Sequence, residues 1–253
     1  MTGDFEARIQ KAADLLRHAR HAVAFTGAGI STPSGIPDFR SQNTGLWQRD
    51  DPMEVASLGV FQSHPEKFFN WLRPLLQTIW AASPNPAHLA LAQLEAAGVI
   101  KAIVTQNIDD LHHRAGSRQI YEVHGSLRTM TCPHCGETYP GEQFRSQIEQ
   151  AGGVPRCPRC GQVMKPDITL FGEMLPVDTW QAAEDHCAQA DVMLVAGSSL
   201  EVWPAASLPE LAVQNGAHLI ICNLSPTPLQ TRADVVLPIN VAEILPELAR
   251  RVF

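Results

Sequence analysis

The 253-residue sequence contains no run of five or more basic residues, and its formal net charge is -7. Binding to a nucleic-acid backbone requires a concentrated positive surface, so no nucleic-acid partner is expected. No apolar run approaches the ~18 residues that a transmembrane helix requires, so no association with a membrane is expected. The first residues, MTGDFEARIQ, are acidic and polar, unlike a signal peptide. Together these absences predict a cytoplasmic protein.

Cysteine is also scarce, with six residues, and disulfide bonds are not expected in a cytoplasmic protein. Four of these cysteines nevertheless form two Cys-x-x-Cys pairs, CPHC and CPRC, separated by 21 residues. Four thiolates with this spacing are typical of a tetrahedral Zn²⁺ site, and two redox-active dithiols are the less favoured alternative. Because four protein ligands leave no open coordination position, we predict a structural zinc ion. Its ligands are Cys132, Cys135, Cys157 and Cys160, without His134.

Short apolar segments alternate with helical patterns through most of the chain. Strands are predicted at 21–25, 101–107, 119–125, 190–199, 217–224 and 233–240. Helices are predicted at 5–19, 64–80, 86–98, 177–189, 204–215 and 241–252. Pro74 predicts a kink or a break in the second of these helices. The alternation is typical of an α/β protein with helices on both faces of a parallel sheet. Cys187 and Cys222 are predicted to be buried apolar residues in it.

Residues 126–168 interrupt this alternation, since they contain the paired cysteines, several Pro and Gly residues and few apolar runs. We predict that they form a zinc-binding module inserted into the sheet domain. Residues 38–80 are predicted to form a helical module beside it. The sheet domain then consists of residues 1–37, 81–125 and 169–253, and the two modules together form a smaller second domain.

The first predicted strand runs directly into a loop with the sequence TGAGISTPSGIPDFR. Gly27 and Gly29 begin a dinucleotide-binding fingerprint, but Thr32 stands where a third glycine is required. By itself the pattern is weak evidence, and a tight turn between a strand and a helix is the alternative. The amide groups of the loop, with the hydroxyls of Ser31, Thr32 and Ser34, would nevertheless suit a pyrophosphate.

Two further strand ends carry small or amide-bearing residues. Gly197, Ser198 and Ser199 follow one apolar strand, and Asn223 follows another. In an open parallel sheet, ligands bind beyond the carboxyl ends of the strands. These strand ends and the glycine loop are therefore predicted to bind the phosphates and ribose of a nucleotide.

A polar segment consisting of Gln106, Asn107, Ile108 and Asp109 ends another predicted strand, and His124 ends the next. An amide and a carboxylate two residues apart can face the same pocket. A histidine at this edge can act as a general base near neutral pH, although a single histidine more often has a structural role. Because the predicted nucleotide loop is close by, the pattern favours catalysis for His124.

Several motifs occur in the following order: GAGIS-x-x-SGIPDFR, TQNID-x-LH-x-RAG, HGS, the two Cys-x-x-Cys pairs, FGE-x-LP, GSSL and NL. In this order they resemble the sirtuin family, the NAD-dependent protein lysine deacylases, and the similarity covers nearly the whole chain. The resemblance implies a Rossmann-like parallel-sheet domain and a smaller domain made of a zinc ribbon and helices. NAD and an acyl-lysine peptide would bind between the two domains.

The resemblance also implies roles for individual residues. His124 would be the catalytic base, with Asn107 beside it in the catalytic site. The residues that would bind NAD are Gly27, Ala28, Gly29, Ile36, Asp38, Phe39, Arg40, Gln106, Asn107, Ile108, Asp109, Gly197, Ser198, Ser199, Asn223, Leu224 and Ala242. The residues that would flank the peptide are Thr169, Phe171, Gly172, Glu173 and Val202.

The implied reaction consumes NAD. The acyl oxygen displaces nicotinamide from the ribose, His124 accepts a proton from a ribose hydroxyl, and water then releases lysine and O-acetyl-ADP-ribose. Proteins that contain acyl-lysine would be the partners.

The segment KFFNWLR predicts which acyl groups are accepted. Sirtuins that remove succinyl groups carry a tyrosine and an arginine where this sequence has Phe69 and Leu72. An apolar pair cannot offset the burial of a carboxylate, so neutral acyl groups are expected, acetyl first. Arg73 comes one residue later and should point about 100° away on a helix. Thr169 stands where valine is common, which leaves the preferred acyl length open.

Other functions remain as alternatives. An NAD-dependent protein ADP-ribosyltransferase or a desuccinylase-type deacylase would use the same NAD site, and a hydride-transferring oxidoreductase would share the sheet. A nucleic-acid-binding zinc module is disfavoured, because residues 126–168 contain five basic and four acidic residues.

Overall fold

The computed structural model describes residues 2–38 and 45–253. The strands in chain order are β1 (Ala22–Thr26), β2 (Ile100–Thr105), β3 (Ile120–Glu122), β4 (Gly125–Thr131), β5 (Thr138–Pro140), β6 (Lys165–Ile168), β7 (Val192–Ala196), β8 (His218–Cys222) and β9 (Val235–Leu237). The helices are α1 (Thr2–His18), α2 (Pro52–Val55), α3 (Leu58–Ser63), α4 (Pro65–Ala81), α5 (Pro86–Ala96), α6 (Leu111–Arg114), α7 (Arg145–Glu149), α8 (Val177–Gln189), α9 (Ser207–Gln214) and α10 (Val241–Val252).

Six of these strands form a parallel sheet in the order β3-β2-β1-β7-β8-β9. From β1 the chain adds β2 and β3 on one side, and it then returns to add β7, β8 and β9 on the other side of β1. In such sheets, ligands bind at the carboxyl ends of the strands where the order reverses, here between β1 and β7. The predicted parallel α/β sheet is confirmed.

Helices cover both faces of this sheet, as the side chains of β1 show. Ala22 and Ala24 face a core cluster that includes α1, α5 and α10. Val23 and Phe25 alternate with them and face a second cluster that includes α8 and α9. A strand that is buried on both faces must be apolar throughout, which explains why the short segments were recognisable in the sequence. Cys187 and Cys222 are fully buried in these clusters, as predicted.

A second, three-stranded antiparallel sheet has the order β5-β4-β6. Its core contains side chains from two separate segments of the chain. Phe68 and Leu72 come from α4, whereas Met130, Phe144 and Met164 come from the cysteine-containing segment. The two segments predicted as modules therefore share one hydrophobic core.

Of the two effects predicted for Pro74, the break is wrong, because α4 continues from Pro65 to Ala81, and the kink stays a prediction. A proline inside a helix costs about 3 kcal/mol. Burial of one large apolar side chain contributes about 1.5–3 kcal/mol, and α4 buries six of them. These are Phe68, Phe69, Leu72, Leu75, Leu76 and Ile79. Packing of this face offsets the cost of the proline.

Among the residues that the structure describes, no helix is both long enough and apolar enough to span a bilayer.

Candidate active site

A cleft of about 810 Å³ lies between the carboxyl edge of the large sheet, α4 and the loop after β6. It brings together segments that are far apart in the sequence. The predicted site residues that line it are Gly27, Ala28, Gly29, Ile36, Asp38, Gln106, Asn107, Ile108, Asp109, His124, Thr169, Phe171, Gly172, Glu173, Gly197, Ser198, Ser199, Val202 and Asn223.

Two predicted contacts lie outside the cleft, and two others are not tested. Leu224 is 69% exposed and does not line the cleft, although Asn223 before it does. Ala242 lies in the first turn of α10, where its amide donates to the Asn240 side chain, and it is also outside the cleft. Phe39 and Arg40 lie outside the described residues.

The loops after β1 and β7 contact each other backbone to backbone. The Gly29 amide donates to the Gly197 carbonyl at 2.8 Å. A Cβ atom on Gly29 would lie 2.8 Å from that carbonyl oxygen, and a Cβ atom on Gly197 would lie 2.2 Å from the Ile30 nitrogen. Gly197 also has a φ of +62°. Both glycines are therefore needed for close approach of the two loops.

We expect Gly197→Ala to lower the free energy of unfolding by roughly 3 kcal/mol, since it combines an unfavourable φ with a backbone clash. Gly216→Ala is the matched control, because Gly216 has a φ of +96° but open space around its Cα. It should cost only about 1–2 kcal/mol. Denaturant unfolding measures both changes, and equal losses would show that the contact with Ile30 contributes nothing.

Residues of the glycine loop hold the side chains of Asn107 and Asp109 by hydrogen bonds. The Asn107 side-chain amide donates to the Gly27 carbonyl at 3.0 Å and to the Ser31 hydroxyl at 3.2 Å. The Ser31 hydroxyl donates to Asp109 at 2.6 Å, and the other Asp109 oxygen accepts from the Leu111 amide at 3.0 Å. Burial raises the pKa of Asp109, while these two hydrogen bonds oppose the rise. The orientation of the polar segment is thus fixed by buried hydrogen bonds.

Two histidines complete this network, and neither is among the predicted site residues. His88 lies 3.4 Å from the Ser31 hydroxyl through Nε2, and His112 lies 2.9 Å from the Thr26 hydroxyl. Burial lowers the pKa of His88 to about 4 and lowers that of His112 well below its ordinary value. Both rings are therefore neutral at physiological pH. Their contacts with residues distant in the sequence carry no periodic signal, so pattern reasoning could not identify these contacts, although His112 belongs to the TQNID-x-LH-x-RAG motif.

His124 lies at the rim of the cleft, two residues after β3. Its Nδ1 lies 3.1 Å from the Gln106 carbonyl, which can only accept, so Nδ1 carries the hydrogen and the basic lone pair is on Nε2. The Gln106 side chain in turn donates to the Ser198 hydroxyl at 3.0 Å. Gly125 follows with a φ of +76°, and a Cβ atom there would lie 2.1 Å from the Asp167 carbonyl oxygen. The close approach of β4 and β6 at Gly125 thus fixes the backbone next to the histidine.

The far side of the cleft is apolar. Trp47 and Trp71 stack with their ring centroids 5.6 Å apart, and Phe171 meets Trp47 edge-on at 6.0 Å. Leu72 also lines the cleft. The Arg73 guanidinium points away from it and donates to the carbonyls of residues 148 and 153, as the helical rotation predicts.

The four paired cysteines lie together at one end of the small sheet. Their sulfur atoms all lie within 4.8 Å of one another, with Cys132 and Cys160 3.5 Å apart and Cys135 and Cys157 3.6 Å apart. These separations are too long for disulfide bonds, whose S–S length is about 2.05 Å. They approach the ~3.8 Å that a tetrahedron with Zn–S bonds of about 2.3 Å requires. The geometry fits the predicted structural zinc ion, and His134 is not part of the cluster.

A second group of possible ligand atoms belongs to Asp110, His113 and Glu122. Arg128 forms ion pairs with Glu122 and, at 3.3 Å, with Asp110. The guanidinium therefore already provides a positive charge here, and this group is best described as an ion-pair network between the two sheets.

The sequence profile of the Sir2 family matches residues 27–204. A curated relative from Archaeoglobus fulgidus, NAD-dependent protein deacylase 2, is 45% identical over 98% of this chain and 97% of its own length. The NAD-dependent protein deacetylase of Caldivirga maquilingensis is 46% identical over 93% of this chain and 90% of its own length.

Solved structures agree with the sequence similarity. A structure that addresses the mechanism and regulation of Sir2 enzymes superimposes with a TM-score of 0.91, at 45% identity and 98% coverage of both chains. A Sir2 variant with a deacetylated p53 peptide and 3'-O-acetyl ADP ribose gives a TM-score of 0.88, at 41% identity and 96% coverage of both chains. Sir2Af2 bound to a myristoylated histone peptide gives a TM-score of 0.84, at 40% identity, with 98% of this chain and 97% of that chain covered. Because the profile matches residues 27–204 and the relatives and structures match nearly the whole length, the chain belongs to the Sir2 family.

Proposed function

We propose that this Sir2-family protein is an NAD-dependent protein lysine deacylase that removes acetyl and other neutral acyl groups. The products are free lysine, nicotinamide and the O-acyl ester of ADP-ribose. The observation that carries the proposal is the position of His124, which lines the same cleft as the glycine loops and Asn107 and whose Nδ1 is held by the Gln106 carbonyl. The substrates would be proteins with acyl-lysine at their surface.

The proposal assigns one part of the cleft to each substrate. NAD would lie along the loops at 27–29 and 197–199, whose amides and hydroxyls suit its phosphates. The acyl-lysine would enter beside Phe171 and Val202 and pass between the two sheets. The division into a sheet domain (1–37, 81–125 and 169–253) and a small domain (38–80 and 126–168) belongs to the same proposal.

The chain's own residues have three tasks in the reaction. Asn107 and Asp109, held by Ser31, orient the nicotinamide end of NAD. The apolar wall on the far side of the cleft (Trp71, Leu72, Leu75 and Ile79) excludes water. The acyl oxygen is therefore the nucleophile at the ribose carbon that loses nicotinamide. His124 accepts the proton of a ribose hydroxyl through Nε2, which frees that oxygen to attack the acyl carbon. Water then completes hydrolysis.

Incubation with NAD and an acetyl-lysine peptide, followed by mass spectrometry, tests the proposal. Equal amounts of deacylated peptide, nicotinamide and O-acetyl-ADP-ribose are expected. ADP-ribose attached to protein, without deacylation, would instead indicate an ADP-ribosyltransferase. Reduced nicotinamide, read from its absorbance, would indicate hydride transfer.

We expect kcat/KM for an acetyl-lysine peptide to be about 100-fold or more above kcat/KM for a succinyl-lysine peptide. The reason is that an unpaired buried carboxylate costs several kcal/mol. Leu72 lines the cleft where an arginine would be required, and Arg73 is engaged elsewhere. The double variant Phe69→Tyr with Leu72→Arg should reduce this ratio. Equal turnover of both peptides by the unaltered protein would contradict the assignment.

Longer neutral acyl groups are a second candidate substrate class. Trp71, Leu72, Leu75 and Ile79 all line the cleft. The last is eight positions after the first on α4, so this apolar wall extends for about 12 Å. An acetyl group would occupy only its beginning. A decanoyl-lysine peptide in the same assay decides between the two, since deacylation at less than about one hundredth of the acetyl rate would exclude long chains.

A further inference from the structure

We infer that Lys165 is a positioning residue for the peptide side of the cleft, acting through its ion pair with Glu173. The inference rests on the proposed function and extends it to a residue outside the cleft. Lys165 is the first residue of β6, and Glu173 lies in the loop that follows this strand. Lys165 does not line the cleft, whereas Glu173 does.

The Lys165 ammonium group is largely enclosed by acceptors from its own strand and loop. Nζ lies 3.0 Å from a Glu173 carboxylate oxygen, 2.8 Å from the Ile168 carbonyl and 3.1 Å from the Pro166 carbonyl. The side chains of Lys165 and Glu173 are only 15% and 20% exposed. Three acceptors match the three donors of an ammonium group. This ion pair is therefore mostly buried and fully hydrogen-bonded at the ammonium group, unlike a solvent-exposed ion pair.

Glu173 uses the same carboxylate oxygen to fold the loop. Oε2 accepts from the Leu170 amide at 2.8 Å, and the Glu173 amide donates back to the Leu170 carbonyl at 3.0 Å. Gly172 supplies the φ of +88° that this turn requires. The turn from 170 to 173 is thus closed around one carboxylate, whose charge Lys165 balances.

This turn sets the position of Phe171 at the cleft. The Phe171 amide donates to the Ala56 carbonyl at 3.1 Å, and its carbonyl accepts from the Leu58 amide at 3.0 Å. The turn therefore links the β6 side of the cleft to α3. Removal of the ammonium group would leave a partly buried carboxylate without its partner, so the turn would rearrange to expose it. The loops at 27–29 and 197–199 are separate from this turn and would keep their positions.

The test compares Lys165→Met and Lys165→Arg with the unaltered protein on an acetyl-lysine peptide. Lys165→Met should raise the KM for the peptide about tenfold, with kcat and the KM for NAD changed by less than about twofold. Lys165→Arg should recover most of the loss, because it restores the charge. Lys11→Met is the control, since Lys11 is an exposed lysine on α1 that donates to the Asp234 carbonyl and does not line the cleft.

The double variant Lys165→Met with Glu173→Gln distinguishes pairing from packing. If the unpaired carboxylate causes the loss, the double variant should bind peptide better than Lys165→Met alone. A Lys165→Met protein with a lower melting temperature and an unchanged peptide KM would overturn the inference, as would equal increases in both KM values. Failure of the unaltered protein to deacylate the peptide would instead refute the proposed function. Direct binding of the acetyl-lysine peptide, measured by calorimetry, would still report on the loop in that case.

Discussion

His124→Ala should lower kcat for deacylation by ~10²–10⁴-fold, the usual contribution of a positioned general base. The alanine removes the imidazole that takes the ribose proton, whereas the contacts of the glycine loops with NAD persist. Binding of NAD is therefore expected to change by less than about twofold. Single-turnover assays with an acetyl-lysine peptide, together with calorimetric titration of NAD, measure both quantities.

His134→Ala is the matched control for this variant. His134 is exposed in the loop between Cys132 and Cys135, and it lies outside the four-cysteine cluster. Its removal should leave activity and zinc content unchanged. Full activity of His124→Ala would remove His124 from its assigned role, whereas loss of zinc from His134→Ala would revise the ligand set.

Cys157→Ser should abolish tight zinc binding and unfold the small domain. Zinc contributes ~10–16 kcal/mol in small structural sites, more than the net stability of most domains. Cys132 and Cys157 are buried in the same core cluster as Phe68 and Leu72 of α4, so the loss should spread beyond the metal site. Elemental analysis and thermal unfolding followed by circular dichroism measure the two effects.

Cys187→Ala provides the comparison for this variant. Cys187 is fully buried in α8 and belongs to a different core cluster, against the large sheet. The alanine variant should lose some stability but keep one zinc ion per chain. If Cys157→Ser also kept one zinc ion and its normal melting temperature, the cysteines would not form a structural site.

The sequence predicted those parts of the fold that depend on local pattern. Helices α8 and α10 begin and end where their apolar spacing predicts, and the zinc ligands follow from spacing alone. Each strand of the large sheet lies within its predicted segment or is shifted from it by one residue. The break at Pro74 was wrong because tertiary burial of α4 outweighs a local preference, which pattern reasoning does not include.

The candidate site was predictable only where a strand end carried polar or glycine residues. His124 and the polar segment at 106–109 met this condition and line the cleft. The buried histidines behind the polar segment did not meet this condition, since His88 and His112 contact Ser31 and Thr26 only after folding. Likewise, the need for Gly197 arises from contact with Ile30, a residue far away in the chain.

The core shared by α4 and the cysteine-containing segment has a consequence for oxidative damage. Leu72 and Leu75 of the apolar wall belong to the same cluster as Cys132 and Cys157, whereas the glycine loops follow strands of the large sheet. Oxidants that attack the thiolates would therefore disturb acyl recognition before they disturb dinucleotide recognition. A mildly oxidised sample would retain NAD but no longer select its lysine substrate, and such inactivation would be visible in peptide affinity first.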